Sequence, residues 1–315
     1  NVCCGGVTET GEDAVNDLSY MMLQATMDVR LYQPSLSVRY NPGKNSNAFL
    51  RKIVELMALG TGFPAFHNDA VGIRMLLEKG IPLKEAYNWN PCGCVETNLM
   101  GKSKELTAFV DVNLASMIEL VLLNGVHRQS GARVGLQTGD PRDFQDFEAF
   151  KEAVKTQLRH VIREVVEANH VIDEVYDERP VPVASLTFDG CIENGKDYCW
   201  GGAKYNRGNG VILDCVADFI NSLSAVRALI YEGKRLTWDE LLQALAEDFE
   251  GHEAVRRACV AAPKFGNDDP RADDLAAEMF WFLAEEIRQY RSKHGPMNCG
   301  MLPVTAHVAM GKTVG

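Results

Sequence analysis

The chain has 315 residues, 46% of them apolar, and a formal charge of −11 from 43 acidic against 32 basic side chains. That length can bury a large core and lies near the upper limit of one compact domain. The acidic balance argues against a nucleic-acid or anionic-membrane surface, where basic patches would be expected. No apolar run reaches the roughly 18 residues of a spanning helix, and the opening Asn1-Val2-Cys3-Cys4 lacks the basic-then-apolar pattern of a leader, so a cytoplasmic protein is the expectation. The cysteines number nine and are dispersed, which suits reduced thiols better than a disulfide framework. Neither Cys-x-x-Cys nor a helical His-Glu-x-x-His occurs, so the usual spacings for zinc and iron–sulfur ligation are missing and no metal is expected.

In chain order, apolar positions Leu18, Met21, Met22, Ala25 and Val29 recur at helical spacing and predict an amphipathic helix over 13–30. Ser35 to Tyr40 alternates as a strand. Asn47 to Leu59 reads as a helix closed by Gly60-Thr61-Gly62, Ala65-Phe66-His67 as a short buried strand, and Ala70 to Lys79 as a helix ended by Gly80. Leu106 to Leu123 reads as one long apolar helix. Asp146 to Ile172 predicts a longer one, with Phe147, Phe150, Val154, Leu158, Ile162 and Val165 on its inward face. The run Val183 to Phe188 reads as a buried strand. Gly201 to Gly210 is a glycine-rich loop with no Lys-Ser/Thr pair after it, hence no phosphate loop. Helices are predicted over 214–232, 238–247 and 273–291, and a last strand through Met301-Leu302-Pro303-Val304. Alternating strands and helices imply an α/β fold, helices packed outside a mainly parallel sheet.

The segment Asn88-Trp89-Asn90-Pro91-Cys92-Gly93-Cys94-Val95-Glu96-Thr97-Asn98 stands apart from this scaffold. Residues two apart in an extended loop project to one side, so Cys94 and Glu96 can face one cavity while Val95 packs behind, and Gly93 permits a tight tip. Taken without its neighbours, the pair fits an inert core thiol beside a solvated carboxylate better than a catalytic one. Its neighbours reverse that reading. The segment resembles the cysteine loop of glycyl radical enzymes. So do, in family order, Gly5-Gly6-Val7, Asn16 to Tyr20, Gln33 to Arg39, Gly62 to Asp69, Gly201 to Asn206 and Asn221 to Ala225, which together span nearly the whole chain.

The resemblance implies part of a ten-stranded α/β barrel with the cysteine loop inside it. It implies that Cys94 becomes a thiyl radical and that Glu96 acts as acid or base. It also implies a stored glycyl radical, installed by an activating enzyme that uses S-adenosylmethionine and an iron–sulfur cluster. The family's Arg-Val-x-Gly-aromatic radical motif does not occur in these residues; Arg133-Val134-Gly135-Leu136 lacks the spacer and the aromatic. The expectation is therefore one catalytic-domain piece, residues 1–315, without the glycyl radical domain and binding no cofactor itself. Further implied partners are a small-molecule substrate, copies of the same chain in a homo-oligomer, and an accessory small subunit; nucleic acid and membrane are not among them.

Within that family, the glycine between Cys92 and Cys94 argues against acyl transfer to coenzyme A. Thr97-Asn98 after the glutamate resembles arylacetate decarboxylases, so decarboxylation of a 4-hydroxyphenylacetate-like acid is the leading expectation. That likeness makes His127 a candidate for the phenol end of the substrate and Asp218 a candidate acid there. A capping or solvent-facing role is as compatible with each residue. His67 is read as structural, and Trp89, Phe63 and Phe66 as core rather than an aromatic wall. Two rivals stand beside this: a dehydratase or C–S or C–N lyase acting on a small polar substrate, and a catalytically silent scaffold with the same fold.

Overall fold

The computed structural model describes residues 2–31, 34–92, 96–104 and 110–302. The chain forms two compact units: it builds the first through residue 105, passes to the second, returns to the first over 179–207, and re-enters the second at 208.

In the first unit, strands β1 (Val2–Gly5), β2 (Leu36–Tyr40) and β3 (Ala65–Asn68) pair side by side, all parallel, with β2 in the middle. Helices α1 (Asp17–Val29) and α2 (Asn47–Met57) make the crossovers, as parallel neighbours require. Each helix begins where a side chain satisfies its first amides: Asn16 caps α1 reciprocally with Ser19, and Ser46 accepts from Phe49 N at 3.2 Å. At β3 the strand turns directly into α3 (Asp69–Glu78), because its last residue, Asn68, accepts from Val71 N at 3.2 Å. The inward face of α1 differs from the periodicity reading. Leu23 is fully buried and Met27 partly so, whereas Leu18 and Met21 are 55% and 65% exposed. The i, i+4 row through Ser19, Leu23 and Met27 is the one that meets α2 and the sheet.

After a helical turn α4 (Leu83–Ala86) come the antiparallel strands β4 (Asn90–Cys92) and β5 (Glu96–Asn98), then β6 (Ser103–Lys104). The second unit opens with β7 (Val110–Asn113), which runs straight into α5 (Leu114–Leu122). One helix over 106–123 is therefore corrected: residues 110–113 are strand, and Asn113 ends it by capping α5 through Ser116 N at 3.2 Å. The long α6 (Phe147–Glu178) follows, and the predicted inward face, Phe147 to Val165, is buried at every position named.

Back in the first unit, 183–188 is not a strand. Pro182–Ser185 forms one helical turn, α7, and Val183 and Leu186 are exposed, because among the described residues no partner strand lies alongside to make an apolar run a buried one. A short helix α8 (Cys191–Asn194) and strand β8 (Tyr205–Asn206), paired with β6, complete that unit. The second unit resumes with β9 (Gly210–Asp214), buried along nearly all its length, between the predicted loop ending at 210 and the predicted helix starting at 214. Then come α9 (Val216–Val226), a π-helical run Arg227–Glu232, α10 (Trp238–Ala246), α11 (Glu253–Ala261), α12 (Pro270–Arg288), a two-residue pairing of β10 (Arg291–Ser292) with β11 (Gly295–Pro296), and β12 (Asn298–Leu302). Strands β7, β9 and β12 make a second parallel sheet with β9 in the middle. Its core joins Val211 and Leu213 to Leu114, Phe150, Leu158, Phe219, Met279 and Leu283. Among the described residues, no helix is long and apolar enough to cross a membrane.

Candidate active site

The cysteine segment is a hairpin. In its register Asn90 faces Asn98, Pro91 faces Thr97 and Cys92 faces Glu96. Cys94, the expected radical site, lies outside the described residues, on the connection between the two strands. Glu96 is half-buried directly across from the exposed Cys92, so the carboxylate stands at the mouth of that connection.

Both feet of the hairpin are fastened. The first follows Trp89, whose indole is 1% exposed among Ile73, Leu76, Ile81 and Leu99. Its Nε1 donates to Asp69 Oδ1 at 2.9 Å. Asp69, fully buried at the start of α3, also accepts from Arg39 Nε at 2.7 Å and from Asn41 Nδ2 at 3.0 Å. Arg39, 5% exposed on β2, sends its remaining nitrogens to backbone: Nη1 to Trp89 O at 2.7 Å and Nη2 to Tyr87 O at 2.8 Å. Its guanidinium also lies over the Trp89 ring, 4.9 Å from the centroid. A buried guanidinium and carboxylate are tolerable only as a satisfied pair, and here every charged atom has a partner among these residues. The second foot is Asn98, whose Oδ1 accepts from Ser103 Oγ at 2.5 Å, while Ser103 Oγ accepts in turn from Leu99 N at 3.3 Å.

The sequence motifs do not single out Arg39 and Asp69 as functional residues. A signal for them does exist, since an arginine inside an uninterrupted buried strand needs an acid to match it. His67 packs edge-on to Trp89, ring centroids 5.8 Å apart. Trp89 is core, also as expected, while Phe66 is 43% exposed.

The glycine-rich loop is a packing element. A Cβ on Gly202 would fall 2.1 Å from the Lys196 carbonyl oxygen, so the chain closes on itself there. Beneath it the Asp197 carboxylate accepts from Val181 N at 2.7 Å, Ser185 Oγ at 2.8 Å and Cys199 N at 2.9 Å. Burial opposes its ionisation, but these donors outweigh burial and hold the carboxyl below the usual aspartate range.

His127 and Asp218 belong to the second unit. His127 sits in a self-closed turn beyond α5, its Nδ1 2.9 Å from Ser130 Oγ and its backbone N–H donating to Ala132 O at 2.9 Å. Asp218 is exposed in the first turn of α9, at the carboxyl end of β9, where an acid also complements the helix dipole.

Six thiols elsewhere are driven away from reactivity. Burial pushes Cys3 up to about 11 and Cys4 up to about 12, and it likewise raises Cys191, Cys199, Cys215 and Cys259. Among the described residues no group of three His, Cys, Asp or Glu side chains is placed to hold a metal ion.

Comparison with known proteins places this arrangement. The pyruvate formate lyase-like family model matches residues 1–311. Trans-4-hydroxy-L-proline dehydratase of Clostridioides difficile is 36% identical over 326 aligned residues, which take in 100% of this chain and 40% of that protein. The crystal structure of that organism's hydroxyproline dehydratase superposes with a TM-score of 0.84 at 34% identity, covering 100% of this chain and 40% of that one. The B12-independent glycerol dehydratase of Clostridium butyricum gives 0.82 at 34%, covering 99% and 40%. The 4-hydroxyphenylacetate decarboxylase glycyl radical subunit of Clostridium scatologenes is more distant, 25% identical over 99% of this chain and 39% of its own length. The chain thus spans about two fifths of the relatives it matches, and it shares with them the α/β fold of glycyl radical enzymes. With its cysteine hairpin, its fold and a family match along almost its whole length, this chain belongs to the pyruvate formate lyase-like family.

Proposed function

We propose that the chain is the cysteine-hairpin portion of a glycyl radical lyase that removes water or another small leaving group from a compact polar substrate. The branch rests on one observation: the chain is 36% identical to a dehydratase and 25% identical to the arylacetate decarboxylase over nearly the same residues. The expectation from the cysteine segment has the order reversed, because Thr97-Asn98 carries less information than the rest of the chain. The chemistry is supported by the hairpin, which sets Glu96 across from Cys92 beside the connection that carries Cys94.

In this reading the stored radical, on a glycine outside these residues, supplies the oxidising equivalent once an activating enzyme has installed it. Cys94 as thiyl takes a hydrogen atom from the substrate carbon next to the one that carries the leaving group, a carbon that itself bears a hydroxyl or an amine, forming S–H and leaving a carbon radical. The Glu96 carboxylate takes the proton of that hydroxyl or amine, which drives the leaving group off the adjacent carbon; when hydroxide leaves, the same proton completes a water molecule. The product radical then recovers a hydrogen atom from Cys94, so the enzyme ends as it began. The protein's part is to exclude water and hold thiol, carboxylate and substrate in register.

The test uses the full-length protein, activated without oxygen and offered trans-4-hydroxy-L-proline, glycerol, 1,2-propanediol, isethionate and 4-hydroxyphenylacetate, with products followed by mass spectrometry. Loss of water or sulfite from one of the first four supports the proposal; release of carbon dioxide from the last returns the arylacetate reading. A full-length protein that forms no radical and turns over none of these compounds counts for the silent scaffold. Cys94→Ser is expected to abolish turnover with the glycyl radical retained. Glu96→Gln should lower kcat by roughly 100-fold with KM little changed, the pattern of a group that acts in the transition state.

A further inference from the structure

We infer that Arg39, braced by Asp69, is a positioning residue for the reacting thiol, fixing the foot of the cysteine hairpin from the opposite side of the first unit's core; this rests on the proposed role of Cys94.

Strand β2 is buried along its whole length, so position 39 would pack with an aliphatic side chain, yet it holds a cation. Replacing a buried ion pair by apolar groups is commonly neutral for stability, so stability alone is a weak reason for the pair. Its geometry supplies a better one. The planar fork of the guanidinium bonds the carbonyl oxygens of Tyr87 and Trp89, two residues apart, at 2.8 and 2.7 Å. Two points on one backbone segment fix its direction as well as its place. A lysine, whose three donors sit on one nitrogen, cannot hold the two carbonyls and the Asp69 carboxylate in the fixed plane that the fork imposes. Asp69 locks the fork through Nε at 2.7 Å and holds the edge of the Trp89 indole at 2.9 Å, so backbone and side chain of the residue before β4 are fixed by one pair. The ring cannot drift toward α3, where a Cβ on Gly72 would already sit 2.4 Å from its Cζ2.

The foot acts as a lever. From Trp89 to Cys92 a strand advances about 10 Å, at roughly 3.3 Å per residue. A tilt of about 5° at Trp89 thus moves Cys92 by nearly 1 Å, a misplacement of the size that can cost about 100-fold in rate.

The test compares Arg39→Lys and Trp89→Phe with Leu158→Ala in the full-length protein; Leu158 is fully buried in the second unit's core. Deuterium uptake of the peptide over 88–98 is expected to rise about tenfold or more in the first two variants, with 158–166 unchanged. Turnover per radical spin should fall roughly 10–100-fold with KM within about threefold, and the isotope effect for substrate deuterated at the abstracted position should grow as hydrogen transfer becomes limiting. Leu158→Ala should lose stability while turnover per spin stays the same. Unchanged uptake over 88–98, or uptake rising everywhere as a general loosening would cause, overturns the positioning role. Activity that survives Cys94→Ser overturns the thiyl reading instead. An inactive Cys94→Ser with full turnover per spin in Arg39→Lys overturns the positioning role alone.

Discussion

Gly72→Ala is the sharpest perturbation the structure offers, because local and tertiary effects have opposite signs. Gly72 lies inside α3 with ordinary helical backbone, so alanine there should stabilise by about 1 kcal/mol from propensity alone. Against this, the new methyl would sit 2.4 Å from Trp89 Cζ2 and 2.5 Å from Cε2, about 1 Å inside ordinary contact. Overpacking of that degree costs roughly 1–3 kcal/mol. Relief by moving the indole would break its 2.9 Å bond to the Asp69 carboxylate, a charge-assisted bond worth about 1.5–3 kcal/mol. The tertiary losses exceed the helical gain, leaving a net destabilisation of about 2–4 kcal/mol, or roughly 3–6 °C in Tm for a chain of 315 residues. The assay is a double-mutant cycle with Trp89→Phe, whose smaller ring vacates the contested space. The two changes together should cost at least about 1 kcal/mol less than their sum. Additive effects, or a Gly72→Ala protein as stable as the parent, would refute the claim that Trp89 is pinned.

Two further outcomes follow from the ionisable groups. With their pKa values raised by burial to about 11 and about 12, Cys3 and Cys4 should remain unalkylated by iodoacetamide in the native protein at pH 8, as read by peptide mass spectrometry. Because the folded chain holds these protons more tightly than the unfolded one, the stability they contribute is intact below the ordinary thiol range. It is lost as pH rises from about 9 toward 12, which urea denaturation across that window will detect. Asp197→Ala should destabilise by about 2–4 kcal/mol, since the amides of Val181 and Cys199 and the Ser185 hydroxyl lose their acceptor. In the parent protein the carboxyl is held low, so its contribution is present above about pH 4 and fades as pH falls through the folded value; the difference between parent and variant should shrink in acid.

Features carried by neighbouring residues are legible in the sequence by itself. That Cys94 and Glu96 stand two residues apart is a fact of the sequence, and the blocks around them identify the family without reference to the fold. The inward face of α6 follows from periodicity over a helix long enough for the pattern to average out error.

Features that depend on partners distant in sequence are not legible in this way. Strands β7 and β9 are sheltered in a parallel sheet, so they carry no polar alternation; β7 reads as part of the helix after it, and the interior of β9 carries no strand signal. The apolar residues of α1 and of 183–188 suggest burial on sides where the fold supplies no cover, since hydrophobicity states a preference and only packing decides whether it is met. The clamp on the hairpin is the clearest case. Arg39, Asp69 and Trp89 stand 20 to 50 positions apart, and the one local hint, an arginine inside an otherwise buried strand, does not name its partners. Only when β2, α3 and the hairpin foot come together do a guanidinium, a carboxylate, an indole and two carbonyl oxygens lie within bonding distance. A thiol and its acid can be encoded side by side, but holding them in place takes contacts that the folded chain alone can make.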